Sequence, residues 1–210
     1  MLAYLSLGSG FLSLLSLLIL HFVSPEFKPS WRMISEYALG KHKWLITSFF
    51  VFWSLSTFFL ALLLWNQVGG IWARIALILL VVSGIGEFMG GAFDVKHKLH
   101  GLAFALGVPA LPVAALVLSY QLVRQDAWAI HKSSILYSAH STWISLVLMA
   151  VTMIVMISGF KKAGIPMGPD IEPPDSVPAG VIAVSGYANR ILVFCYILWL
   201  LVIAKIFTTQ

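Results

Sequence analysis

The chain has 210 residues, of which 60% are apolar and only 10% charged, against roughly 25% charged in a soluble globular domain. With a mean hydropathy of +0.95, that balance excludes a soluble enzyme, a nucleic-acid-binding module and a disordered chain, and leaves an integral membrane protein. The apolar runs are continuous rather than alternating, which also excludes a transmembrane β-barrel.

The net charge is +5, but the basic residues fall almost entirely in loops, where they bear on topology and meet anionic headgroups. Nucleic acid is therefore not an expected partner; membrane lipids are, and other membrane proteins are a second candidate. The one cysteine, Cys195, lies inside the last apolar run and has no internal disulfide partner.

Six apolar windows follow one another at 2–23, 45–66, 71–93, 101–123, 135–158 and 191–208. Each is long enough to cross a hydrocarbon core about 30 Å thick as a helix. The pattern predicts an all-α fold, a six-span transmembrane helical bundle, with residues 1–210 forming one domain of the cytoplasmic membrane. The first window lacks a basic leader and a small-residue cleavage site, so it is read as a retained span rather than a signal peptide. Short second, third and fourth connections make neighbouring spans antiparallel. Trp31, Trp44, Trp65, Trp72 and Trp128 fall near span ends, as in an aromatic belt.

Within the first span, Ser6, Ser9, Ser13 and Ser16 form a small-residue seam for close helix packing. The third span carries Glu87 inside an apolar window, which costs several kcal/mol unless the group is paired or near water. Ser83, Glu87, Gly90 and Asp94 follow helical offsets and share one face. Continued at three-residue steps, that helix would add His97 and His100. Pro109 and Pro112 in the fourth span remove helix hydrogen bonds and predict a kink or local unwinding. In the fifth span Met149, Met153 and Met156 share a face that reads as bundle core or lipid contact. The fifth loop, with GIPMGPDIEPPDSVPAG, is a lid or a linker.

Polar residues thus gather at Ser35, Glu36, Tyr37 and His42 in the first loop, at Glu87–His100, at Tyr137–Ser141, and at Tyr187, Asn189 and Arg190. In one reading Asp94, His97 and His100 ligate a metal, zinc being the ion that Asp and His suit, with Glu87 or Glu36 as the base for hydrolysis of a lipid headgroup. In another no metal binds, and Arg190, with Tyr187 and Ser35, holds the headgroup. A third treats Asp94, Lys96, His97 and Lys98 as solvated loop charges. Haem is not favoured: His100 and His140 are its one obvious axial pair. Beside the lipid-directed reading stand a non-catalytic accessory or assembly subunit of a larger complex and, below it, a transporter.

The segments SEYALGKHKWLITSFF, HGLAFALGVPALPVAALVLS and GYANRILVFCYILWLL resemble the bacterial and archaeal membrane family called domain of unknown function 998. The resemblance implies a six-span bundle in which Ser35, Asp94, His100 and Arg190 matter, and it implies no reaction. Glu36 and His42 depart from that pattern. Lys and Arg number nine on the odd-loop side and four on the other, which places the odd loops in the cytoplasm; the resemblance implies the reverse, and odd loops outside is the expectation.

Overall fold

The computed structural model describes residues 1–165, 174 and 176–209. Its long helices are α1 (Leu2–Val23), α2 (Lys43–Leu64), α3 (Ile71–Ala92), α4 (His100–Leu122), α6 (Lys132–Lys162) and α7 (Ser185–Phe207). A short α5 (Asp126–Ala129) and a 3-10 helix over Ile34–Leu39 interrupt the loops. All six long helices are long and apolar enough to cross a membrane, and no strand occurs among the described residues. A 22-residue helix is about 33 Å long, which matches the hydrocarbon core; α6, at 31 residues, overhangs it. Asp170, Glu172 and Asp175, and with them most of the expected lid, lie outside the described residues.

The bundle runs α1–α2–α3–α4–α6 in neighbouring pairs, and α7 packs against α1, α2, α4 and α6. Cross-links at the ends fix which loops share a side. Lys43 at the end of the first loop pairs with Asp94 of the third at 3.1 Å, and Gly186 N–H, after the fifth loop, donates to Ser30 of the first. At the other end, Gln125 donates to the Gln67 carbonyl at 3.0 Å. The odd loops therefore meet at one end of the bundle and the even loops at the other.

Small and hydroxylated residues set the helix spacing, because in lipid the association of helices depends on close packing and interhelical hydrogen bonds. Ser6 and Ser56 each donate to the other's backbone carbonyl, at 2.9 and 2.8 Å, and Ser13 donates to the Phe49 carbonyl at 2.8 Å. These bonds seat Ser6 and Ser13 of the seam on α2, while Ser16 bonds back to the Leu12 carbonyl of its own helix. Between α3 and α4 the backbones touch: a Cβ on Gly86 would lie 2.6 Å from Gly107 Cα and 2.7 Å from the Ala103 oxygen.

Helix α4 runs on through Pro109 and Pro112, where local unwinding was one expectation. Proline at 112 deprives the Val108 carbonyl of its i+4 donor. Tyr196 of α7 supplies a replacement, its hydroxyl donating to that oxygen at 2.7 Å. Neighbouring helices can re-satisfy backbone groups that a proline frees, so the chain need not unwind.

Two belt expectations are corrected. Trp44, Trp65 and Trp72 are exposed, but Trp31 and Trp128 are buried. Trp31 stacks toward Phe160 of α6, and Trp128 meets Phe207 of α7 edge-on at 4.8 Å. Both sit in loops folded back onto helix ends, a tertiary contact that span-end position does not encode.

Candidate functional site

Helix α3 stops at Ala92, and Phe93 is already extended. The three-residue steps from Asp94 to His100 are therefore two successive turns, closed by His97 N–H to the Asp94 carbonyl and His100 N–H to the His97 carbonyl, both 2.9 Å. This breaks the continuous helical face that the sequence suggested.

Asp94 turns to Lys43, whose ammonium holds its carboxyl below the usual carboxylate range. His97 is exposed, stacks on Phe93 at 4.4 Å and accepts the Leu99 N–H through Nδ1. His100 pairs through Nδ1 with the Phe93 carbonyl at 3.1 Å. A carbonyl only accepts, so Nδ1 carries the proton, and in the neutral ring Nε2 is an acceptor. Among the described residues no group of three or more His, Cys, Asp or Glu comes together to hold a metal. The expected convergence of Asp94, His97 and His100 is corrected accordingly. The haem pair fares no better. His140 bonds Tyr120, which lies 20 residues beyond His100 on α4, a distance of about 30 Å.

Arg190 is also engaged within the protein. Its Nε donates to His21 Nε2 at 2.6 Å, Nη1 to the Arg32 and Gly186 carbonyls at 2.8 and 2.9 Å, and Nη2 to the Tyr37 hydroxyl at 3.1 Å. Burial pushes the Tyr37 phenol up from its ordinary value, against the pull of that guanidinium. Asn189 Oδ1 accepts the Ile34 N–H at 2.9 Å. Close approach of the chain demands glycine at 186, where a Cβ would lie 2.5 Å from the Pro29 oxygen. The motif SGYANR is thus the first turn and a half of α7, and it ties the first loop across the odd-loop end. Four of the five Arg190 N–H groups are used in doing so. Glu36 pairs with Arg32 at 2.7 Å and caps Met33 N–H at 2.8 Å. Tyr187 is exposed on the surface of α7.

Beneath this strap lies a cavity of about 90 Å³. Ser35, His100 and Asn189 line it near the odd-loop end, with Gly86, Glu87 and Trp53 further in. Glu87 sits five residues before the end of α3, about 8 Å along the helix, and Trp53 ten residues into α2, about 15 Å. Phe50, Phe104, Val108, Leu192 and Val193 complete a mostly apolar wall.

Glu87 is 3% exposed. Thr57 donates to one carboxyl oxygen at 2.7 Å and Ser83 to the other at 3.0 Å. Both hydroxyls also lie against backbone carbonyls, Trp53 and Gly107 respectively. No Lys, Arg or His pairs with Glu87 among the described residues. Trp53 is 4% exposed, and its indole N–H has no hydrogen-bond partner among the described residues. Sequence reasoning passed over Trp53, although a tryptophan mid-span, away from both interfaces, brings a donor that needs an acceptor.

The fold and this cavity define a multi-pass membrane protein with a small, mostly apolar chamber that holds one buried carboxyl, under a loop-built cover at one end of its helical bundle. The chain matches the family model described as protein of unknown function, DUF998, over residues 7–205. It belongs to that family. No curated protein and no solved structure matches it.

Proposed function

We propose that the protein binds the polar end of an amphipathic molecule drawn from the bilayer, a membrane lipid, in the cavity above Glu87. The observation that carries this reading is Glu87, a buried acid that lines the cavity and has no basic partner among the described residues. Each of its oxygens has a second lone pair beyond the bond from Thr57 or Ser83, and an ionisable group at such depth marks a ligand or ion path by default.

Size narrows the ligand. At roughly 10–15 Å³ per water-sized site, 90 Å³ holds about six to nine such groups. That suits a small headgroup with the start of its chains; a haem or a large sugar headgroup is too big. The apolar wall of Phe50, Phe104, Val108 and Leu192 would receive the chains.

Charge narrows it further. Among the described residues no Lys or Arg lines the cavity, and Arg190 is spent on its own contacts within the protein, so no phosphate clamp is involved. Zinc-assisted hydrolysis is not part of it either, since its three expected ligands turn apart.

The test is native mass spectrometry of the protein released from membranes into mild detergent. A lipid should remain bound to the wild type and be depleted in Glu87→Ala and in Gly90→Leu, which crowds the cavity. Equal retention by all three forms would refute the reading.

A further inference from the structure

A second polar cluster lies at the even-loop end, on the outer surface where α4 and α6 pack side by side. None of its residues lines the cavity. The indole N–H of Trp143 donates to His140 Nδ1 at 2.9 Å. An indole only donates, so Nδ1 presents a lone pair, and the neutral ring carries its proton on Nε2. That N–H meets the Tyr120 hydroxyl at 3.1 Å, across from α6 to α4. The Tyr120 oxygen therefore accepts, and its own proton is left to be given elsewhere. Tyr120 and Trp143 are both exposed, and the Tyr120 hydroxyl has no other hydrogen bond among the described residues.

Depth narrows what can take that proton. Tyr120 stands two residues before the end of α4, about 3 Å along the axis. His140 lies eight residues into α6, so about 12 Å of that helix extends past the cluster on the even-loop side. This stretch is part of the overhang of α6 beyond the hydrocarbon. The cluster thus sits at the edge of the apolar core, at the level of lipid headgroups.

Charge narrows it further. Arg124 follows Tyr120 by four residues, just past the end of α4, and Lys132 opens α6. Both are exposed, and neither forms an ion pair among the described residues. The even loops contain one acid, Asp126. Toward the membrane centre the surface turns apolar. Val113 lies seven residues before Tyr120 on the same face of α4, and Ile144 and Val147 lie four and seven residues after His140 on α6; all three are exposed.

We infer that this cleft between α4 and α6 binds the phosphate of an anionic phospholipid through the Tyr120 hydroxyl and Arg124, with an acyl chain laid along Val113, Ile144 and Val147. A phosphate oxygen is the acceptor that the Tyr120 proton lacks, and a guanidinium matches phosphate in charge and shape. A zwitterionic choline head would set a second cation against Arg124 and Lys132. The site stands apart from the cavity above Glu87, at the opposite end of the bundle, and does not depend on it.

The experiment titrates short-chain phosphatidylglycerol, phosphatidylcholine and diacylglycerol of one chain length into the full-length protein in an uncharged detergent. Inorganic phosphate is a fourth arm, and thermal stabilisation is the readout. Phosphatidylglycerol should stabilise most. Tyr120→Phe, which keeps the ring, should weaken its binding roughly two- to tenfold, the worth of one hydrogen bond. Arg124→Gln should weaken it by at least as much and reduce its sensitivity to salt. Lys205→Gln removes the same charge from the same end, on α7, and should leave the affinity unchanged. The melting temperature of each variant without lipid separates misfolding from lost binding.

Equal stabilisation by phosphatidylglycerol and phosphatidylcholine would overturn the anionic assignment, and equal stabilisation by diacylglycerol would overturn the phosphate contact altogether. An equal effect of inorganic phosphate would replace the lipid by a free anion. Weakening by Lys205→Gln as large as that by Arg124→Gln would reduce the site to diffuse charge attraction and overturn it. Each of these results leaves the cavity reading standing.

Discussion

Replacing Gly86 by alanine tests the packing that forms the cavity wall. The new Cβ would meet Gly107 Cα at 2.6 Å and the Ala103 oxygen at 2.7 Å, against an optimal carbon separation of about 3.5–4.0 Å. These are backbone atoms, so no rotamer change relieves the clash. Helix α4 must retreat by about 1 Å, and a gap of that size forfeits a quarter to a half of each dispersion contact it opens. Overpacking of this kind costs about 1–3 kcal/mol. We place it at the upper end, about 3 kcal/mol, because the contact is backbone to backbone. Alanine returns about 1 kcal/mol through its better helix propensity. The net loss of about 2 kcal/mol should lower the melting temperature by roughly 4–8 °C for a chain of this size. The assay is intrinsic tryptophan fluorescence during heating in detergent. Gly8→Ala is the control: nothing lies within 4 Å of its Cβ position, so it should melt at or above the wild type. A Gly86→Ala protein as stable as that control would refute the close crossing of α3 and α4.

Other outcomes follow from the same contacts. Tyr196→Phe should cost about 1–3 kcal/mol by stranding the Val108 carbonyl. The cost should shrink in a Pro112→Ala background, where residue 112 regains its N–H, and a double-mutant cycle of melting temperatures reads the coupling. Asn189→Ala removes the acceptor of the Ile34 amide; hydrogen exchange at that amide should accelerate by roughly two- to tenfold, with the even-loop end unaffected. The Asp94 carboxyl is held low by Lys43, so its contribution is present above the unfolded value near pH 4 and is lost as pH falls through the lower folded value. The pair is solvent-exposed, so Asp94→Asn should change stability by no more than about 1 kcal/mol and reduce only that acid-side loss, as melting curves between pH 2 and 7 would reveal. Reporter fusions in the fifth loop should place it outside the cell, and a cytoplasmic signal would reverse the orientation.

What the sequence determined by itself was the set of helices. Six continuous apolar windows admit one solution in lipid, because every backbone N–H and C=O must be satisfied within its own segment. Window edges differ from the observed helices mainly at α6 and α7, where polar ends such as SGYANR continue a helix beyond its apolar stretch. The serine seam and Glu87 were also legible, since their spacing fixes them on helix faces.

The partners of those faces were decided only by tertiary structure. Asp94, His97 and His100 have ligand-like spacing, yet α3 ends at Ala92 and the turn sends Asp94 to Lys43, 51 residues away in the chain. Arg190 looked free for a headgroup, but its donors are taken up by His21, Arg32 and Tyr37, contacts that exist only once the first loop folds over α7. Trp53 mid-span announced a donor in need of an acceptor, but that the donor goes unpartnered is a property of its surroundings. Spacing along one helix fixes direction, while partnership depends on which helices the loops bring together, and here the residues that wall the cavity lie on the 3-10 helix, α2, α3, α4 and α7 at once.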